Sequence, residues 1–431
     1  MPILSAHIIP HPPLIIPAVG KGREQEIQKT VDGCLEVAQS IAQVQPETII
    51  IISPHSTTYA DCFHISGGES AHGSFAQFGA PDVRFDVIYD SALVYDIQSA
   101  AEKHGIPAGT TGERDPGLDH ATTVPLYFIN QFLKEYKIVR LSVSGFDLEQ
   151  HFDYGQCIAE AIGSKRAVIV ASGDLSHRLT EDGPYGFNGH GPVFDKRITQ
   201  AMAAGDFNKF FDFDKDVIEG AAECGLRGFA ILAGALDGHP LAVKFHGYEG
   251  PFGVGYGVCS YHVLDIYVYL ARQSLKHYLE TGEYMERPDV LPDELLKSGY
   301  GVFVSLKKHG QLRGCIGTIT GVQENLADEI ITNAVSAGVS DPRFPPVEAD
   351  ELEYLDVSVD VLFSPEPAEI SDLNHIKYGI IVSSGYRRGL LLPNLEGVDT
   401  VPAQLSIALQ KAGIRAGEKY SIERFEVVRH V

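Results

Sequence analysis

Hydrophobic and polar positions change rhythm several times along the 431 residues. Residues 3–9 and 48–53 are short, nearly unbroken apolar runs, the mark of strands buried on both faces. Residues 24–43 instead repeat apolar side chains at three- and four-residue spacing (Ile27, Val31, Leu35, Ala38, Ile41, Ala42), which predicts an amphipathic helix. The two rhythms then alternate. Helices are expected at 93–104 and 123–134, a strand at 138–144, a helix at 148–162 and a strand at 167–172. Helices at 198–204 and 219–236 and strands at 242–247 and 255–263 follow. This alternation predicts an α/β domain with a mixed, largely parallel sheet flanked by helices.

Near Asp265 the pattern changes without any Pro/Gly/Ser linker. A helix at 267–280 (Leu270, Ala271, Leu275, Tyr278, Leu279 on one face) opens the second part. It is followed by strands at 301–307 and 312–318, a helix at 325–337, and an alternating strand at 354–362 (Leu355, Val357, Val359, Val361). Strands at 379–383 and 389–392 and a helix at 402–412 complete an α+β pattern. The expected division is therefore 1–264 and 265–431.

Charge narrows the function classes. With 34 basic and 57 acidic residues the net charge is −23. That argues against a nucleic-acid partner and against an acidic membrane surface. A hydrophobic content of 44% suits a packed globular protein, and no apolar run reaches membrane-spanning length. No Lys or Arg precedes the first apolar stretch, so it reads as a strand and not as a signal peptide. Six scattered cysteines without a Cys-x-x-Cys pair point to a reducing, cytoplasmic location. Histidine is the uneven residue: 13 of 17 lie before residue 265.

Those histidines mark strand ends. The first apolar run closes on His7-Ile-Ile-Pro-His11-Pro-Pro, the second on Ser53-Pro54-His55-Ser56, and the run at 167–172 on Gly173-Asp174-Leu175-Ser176-His177. Ligands of open α/β sheets bind at the carboxyl ends of strands. If the three strands are parallel neighbours, His11, His55 and His177 face one crevice. Two imidazoles and one carboxylate are a known donor set for non-haem iron(II). Glu223, set among Ala221, Ala222, Cys224 and Gly225, is the leading carboxylate candidate. It reads equally well as an N-terminal helix residue interacting with the dipole or with Arg227. His120 follows Asp119, which could orient its ring. His190 reads as a surface-loop residue, and His7 as a core histidine with a supporting role left open.

Five segments in order, Pro10-His11-Pro12-Pro13, Ser53-Pro54-His55, Leu118-Asp119-His120 with Val124-Pro125-Leu126, Gly173-Asp174-Leu175-Ser176-His177 and the stretch around Glu223, resemble the LigB-like superfamily of class III extradiol dioxygenases and Memo-like proteins. The resemblance implies iron(II), with zinc or another divalent metal as alternatives, held by His11, His55 and Glu223. It implies His177 as acid/base and His120 as a substrate-contacting histidine. Memo-like members carry Cys in place of the late carboxylate, so Cys224 is the alternative ligand. The segments His64–Phe78 and 184–191, where substrate contacts are expected, match no particular catechol-cleaving enzyme.

Residues 267–431 resemble the AMMECR-type domain through Leu312-Arg313-Gly314-Cys315-Ile316-Gly317-Thr318, Asp341-Pro342-Arg343-Phe344 and Arg388-Gly389-Leu390-Leu391-Leu392-Pro393. Cys315 reads as a thiol activated by Arg313 or as a small buried strand residue. The fusion resembles the AmmeMemoRadiSam group. The expected function is an iron(II)-dependent oxygenase acting with dioxygen on a small catecholic aromatic. The alternatives are a metal-binding scaffold working with a radical-SAM partner and a zinc hydrolase. The substrate and the oligomeric state, a homo-oligomer included, stay open.

Overall fold

The computed structural model describes residues 3–113, 116–289, 291–395 and 397–431. The chain divides into two compact units, Met1–Val263 and Leu264–Val431.

In the first unit the apolar runs build a six-stranded sheet in the order Lys137–Ser142, Thr48–Ser53, Ala167–Ser172, Ile3–Ile9, Tyr256–Val263, Leu241–Glu249. The first four strands are mutually parallel, and the last two join antiparallel at one edge. The run of isoleucines is explained by the pleat. Ile50 and Ile52 pack on one face with Ile158 and Phe229, and Ile49 and Ile51 pack on the other with Val37 and Ile41. Each such side chain contributes roughly 1.5–3 kcal/mol on burial, which is why the run is apolar on both faces.

Helix ends follow local chemistry. Asp147 and Gln150 form a capping box at the start of Leu148–Ile162. Asp119 caps His120–Ile129, so this helix begins three residues before the apolar rhythm suggests. The helix predicted at 198–204 extends back to His190, which is its first, exposed residue and not part of the glycine-rich loop. The single helix predicted at 219–236 is two, Lys215–Ala221 and Leu226–Ala235, parted at Ala222 with its left-handed φ of 52°. The hairpin Ser70–Phe75 with Ala80–Ile88 lies outside the predicted elements, because its strands mix exposed and buried positions without a clean alternation.

The second unit is a curled antiparallel sheet in the order Gln311–Thr318, Gly301–Lys308, Leu355–Leu362, Ser421–His430, Tyr378–Ser384, Arg387–Leu391. Helices Ile266–Thr281 and Leu326–Val339 bury Val302, Val304 and Leu306 on one face. Helix Val401–Ala412 packs on Ile380, Val382 and Leu391. The unforeseen strand is Ser421–His430, the hinge of the curl. Its last residues pair with Leu355–Leu362 and its first with Tyr378–Ser384. Glu423, Arg424, Glu426 and Arg429 hide its strand character from a hydrophobic pattern. Among the described residues no helix is long and apolar enough to cross a membrane.

Candidate metal centre

Strands Thr48–Ser53, Ala167–Ser172 and Ile3–Ile9 are parallel neighbours, with Ile9 in register with Ser172 and Ile52 with Ala171. Their carboxyl ends therefore open at one place, and three loops deliver side chains there. The His11 amide donates to Asp174 Oδ1 at 2.8 Å, and its Nδ1 meets Ser172 Oγ at 3.1 Å. That fixes the ring and turns Nε2 outward. His55 Nε2 lies 3.1 Å from it.

His120 completes the group. Its ring stacks on His55 at 4.5 Å and meets His11 edge-on at 5.3 Å. One ring nitrogen from each of the three histidines falls within 4.8 Å of the others. Asp119 sets this arrangement from below rather than orienting the ring of His120. Its Oδ1 accepts the Ser53 hydroxyl at 2.7 Å and the Thr122 amide at 3.0 Å, and the Ser53 oxygen accepts the His55 amide. Arg140, with a fully buried side chain, lies 3.6 Å from Asp119 and 3.3 Å from Glu113. Arg140 escapes the sequence reading because it sits inside an apolar strand.

The electrostatics favour neutral rings. Burial, reinforced by the neighbouring imidazoles, pushes His11 well below the usual histidine range. Burial and His55 push His120 down to about 4, and burial lowers His55 despite the opposing pull of Asp119. Each neutral imidazole keeps one nitrogen lone pair, and the three rings bring one nitrogen each to within 4.8 Å of the others. A cation shared by the three accepts those lone pairs, so the donor set fits a first-row metal.

The carboxylate expected as third ligand is not in this group. Glu223 Oε2 accepts the Leu226 amide at 2.6 Å and caps helix Leu226–Ala235. The reason is local: four amides at a helix start need acceptors, and Glu223 stands where one is required. Burial raises its pKa against the pull of the Leu226 amide and Arg227. The next side chain has a different partner. Cys224 Sγ lies 3.6 Å from His11 Nε2 and accepts the Asp174 amide at 3.3 Å. Both Glu223 and Cys224 line a cavity of about 440 Å³ with Pro54, Tyr59 and Arg227.

His177 Nδ1–H donates to the Ala222 carbonyl at 2.6 Å. A carbonyl only accepts, so the proton of the neutral ring sits on Nδ1 and the lone pair on Nε2. Burial lowers its pKa. Asp174 Oδ2 lies 4.0 Å from both His177 Nε2 and His11 Nε2, and burial raises this carboxyl to about 7. Asp174 stands within the Gly173–His177 segment. Its signal in the sequence is an acid two residues past a buried strand end.

Other candidates lie elsewhere. His7 is a core residue between the Ser5 and Ser260 hydroxyls. In the second unit Arg313 is taken up by Glu351 and the carbonyls of Pro345 and Pro346, so it does not serve Cys315. The guanidinium beside Cys315 is that of Arg343, which donates to the Cys315 carbonyl.

Comparison with known proteins assigns a family to each of the two units. The family described as the catalytic LigB subunit of aromatic ring-opening dioxygenase matches residues 5–259, and AMMECR1 matches residues 268–430. A protein of Clostridium acetobutylicum is 42% identical over 100% of this chain and 99% of its own. A Thermotoga maritima protein is 50% identical over 38% of this chain and 96% of its own. An uncharacterised Pyrococcus horikoshii protein of known structure is 34% identical, covering 38% of this chain and 88% of its own, with a TM-score of 0.36.

Proposed function

The chain belongs to the LigB family of aromatic ring-opening dioxygenase catalytic subunits, joined to an AMMECR1 domain, and we propose on that premise that it is a metal-dependent oxygenase acting with dioxygen on a small aromatic of catechol type. The observation that carries this reading is the convergence of His11, His55 and His120 beside Cys224. His11 and His55 would hold iron(II), with His120 or Cys224 as the further donor. Iron(II) would supply the electron exchange with dioxygen that no side chain here can supply.

The remaining roles belong to the chain. His55 is the exposed member of the trio, so the substrate approaches from its side. The Nε2 lone pair of His177 accepts a proton from a substrate hydroxyl, and the Ala222 carbonyl steadies the imidazolium through Nδ1–H. Tyr185, exposed and edge-on to His177 at 5.1 Å, offers an aromatic face beside it.

Cys224 supports a second reading. A thiol in place of a carboxylate is a softer donor, which suits a metal-binding scaffold that works with a radical-SAM partner and opens no ring. Anaerobic metal loading followed by a catechol panel separates the two. A new visible absorption on catechol addition and a yellow product on admitting air support the oxygenase. Bound metal with neither signal across the panel overturns it in favour of the scaffold.

A further inference from the structure

We propose that the second unit binds an organic anion, a carboxylate carried on an apolar body, in the cavity onto which Cys315 opens. This cavity measures about 990 Å³ and is formed wholly by residues of that unit.

The pleat explains why it exists. Along Gly301–Lys308 the side chains of Val302, Val304 and Leu306 face the helices. Phe303, Ser305 and Lys307 are thereby left on the opposite face, and all three line the cavity. Register adds the neighbours. Ser305 lies opposite Cys315 on one side and Ser358 on the other, Asp360 lies opposite Phe303, and Asp356 opposite Lys307. Leu390, Leu391 and Leu392 supply an apolar wall.

Charge selects the ligand. Arg272, Lys307, Arg343, Lys411 and Arg429 line the cavity. Arg429 is held bidentate by Asp360, and Arg343 is held by Asp341. Arg272 and Lys411 donate only to main-chain carbonyls, and no carboxylate lies within 4 Å of either among the described residues. In a chain of net charge −23 this is a local positive surplus over an apolar floor. Such a surface attracts anions, and its leucines reward a hydrocarbon or aromatic body. A fully polar polyanion would leave the leucine wall unused.

Cys315 is the reporter, because its thiol faces the cavity 3.3 Å from Ser305 Oγ. The full chain is alkylated with iodoacetate or with iodoacetamide, and the Cys315 peptide is quantified by mass spectrometry, with and without decanoate or decanol. Decanoate is expected to protect Cys315 against both reagents, and decanol to protect it less well. In the K307Q/K411Q double variant, which removes two exposed charges, the preference for iodoacetate over iodoacetamide and the potency of decanoate should both fall about two- to tenfold. Equal protection by decanol and decanoate overturns the anionic part of the proposal. Absence of protection by either overturns the site. Neither result bears on the metal centre, because no residue of the first unit is read.

Discussion

Cys224 Sγ lies 3.6 Å from His11 Nε2, across 213 residues of sequence, while the carboxylate of Glu223 is turned away to the Leu226 amide. This gives the two neighbours separable roles. Cys224→Ser is expected to lower metal occupancy after anaerobic reconstitution, and His11→Ala to abolish it, measured by elemental analysis. Glu223→Ala should keep the metal and lose about 0.5–2 kcal/mol of stability, the worth of a helix cap. Metal retained in Cys224→Ser but lost in Glu223→Ala would return the ligand role to the carboxylate.

The separation of these two residues shows where the sequence stops being legible. The strand ends are visible because buried parallel strands are uninterrupted apolar runs, and the next polar residue marks the sheet edge; His11 and His55 follow from that. The helix break at Ala222 is invisible, since Ala-Ala-Glu-Cys-Gly carries no proline and continues a helical rhythm. Without the break, neither the cap nor the turn of Cys224 can be inferred. Asp174 and Arg140 are hidden for a related reason: their partners are 163 and 27 residues away in sequence. In the second unit the apolar strands are legible, whereas the charged strand Ser421–His430 is recognisable only from the three strands it joins.

His177 should separate binding from chemistry. Its Nδ1–H is committed to the Ala222 carbonyl, and its Nε2 lies 4.0 Å from Asp174. His177→Gln is expected to retain metal and to bind a catechol, yet to lose about 10²–10⁴-fold in turnover, the usual worth of a positioned general base. Rapid mixing under oxygen with a substrate found in the panel measures this. Loss of metal in that variant would instead make His177 a ligand.

Asp119 links stability to the site, since it caps the helix that begins at His120, accepts the Ser53 hydroxyl and faces the buried Arg140. Asp119→Ala removes all three and leaves Arg140 with Glu113 as its remaining carboxylate within 4 Å among the described residues. A loss of about 2–4 kcal/mol in urea denaturation is expected, with a fall of about 10–100-fold in metal affinity as His55 and His120 lose their support. Asp119→Asn keeps the cap and the neutral acceptor, so it should recover most of the metal affinity and less of the stability.

Acid sensitivity of the second unit is expected to run through Glu351. Hydrogen bonds from Arg313, then from Lys308, hold its carboxyl down to about 2. A folded pKa below the unfolded value means stabilisation that is present above about pH 4.3 and is lost as pH falls toward 2. Glu351→Gln should therefore cost about 1–2 kcal/mol near neutrality after allowance for solvent screening. Its urea midpoint should converge on that of the wild type as pH approaches 2. A constant difference across this window would show that the contribution is packing and not ionisation.

Cys224 is presented by a tightly packed pair of helices. Helix Leu226–Ala235 runs against Leu148–Ile162 at a distance that only glycine permits. A Cβ on Gly234 would stand 1.9 Å from the Phe152 carbonyl oxygen, and one on Gly155 would stand 2.1 Å from that of Ile231. Both obstacles are backbone, so no side-chain rotation relieves them, and Gly234→Ala must push the helices apart at a cost of about 1–3 kcal/mol. The displaced helix is the one whose capped start follows Cys224 directly. If the thiol is a donor, metal affinity should fall together with stability in Gly234→Ala. If His11, His55 and His120 hold the metal by themselves, only the denaturation midpoint should move. Paired urea and metal titrations of this one variant therefore weigh the thiol without touching it.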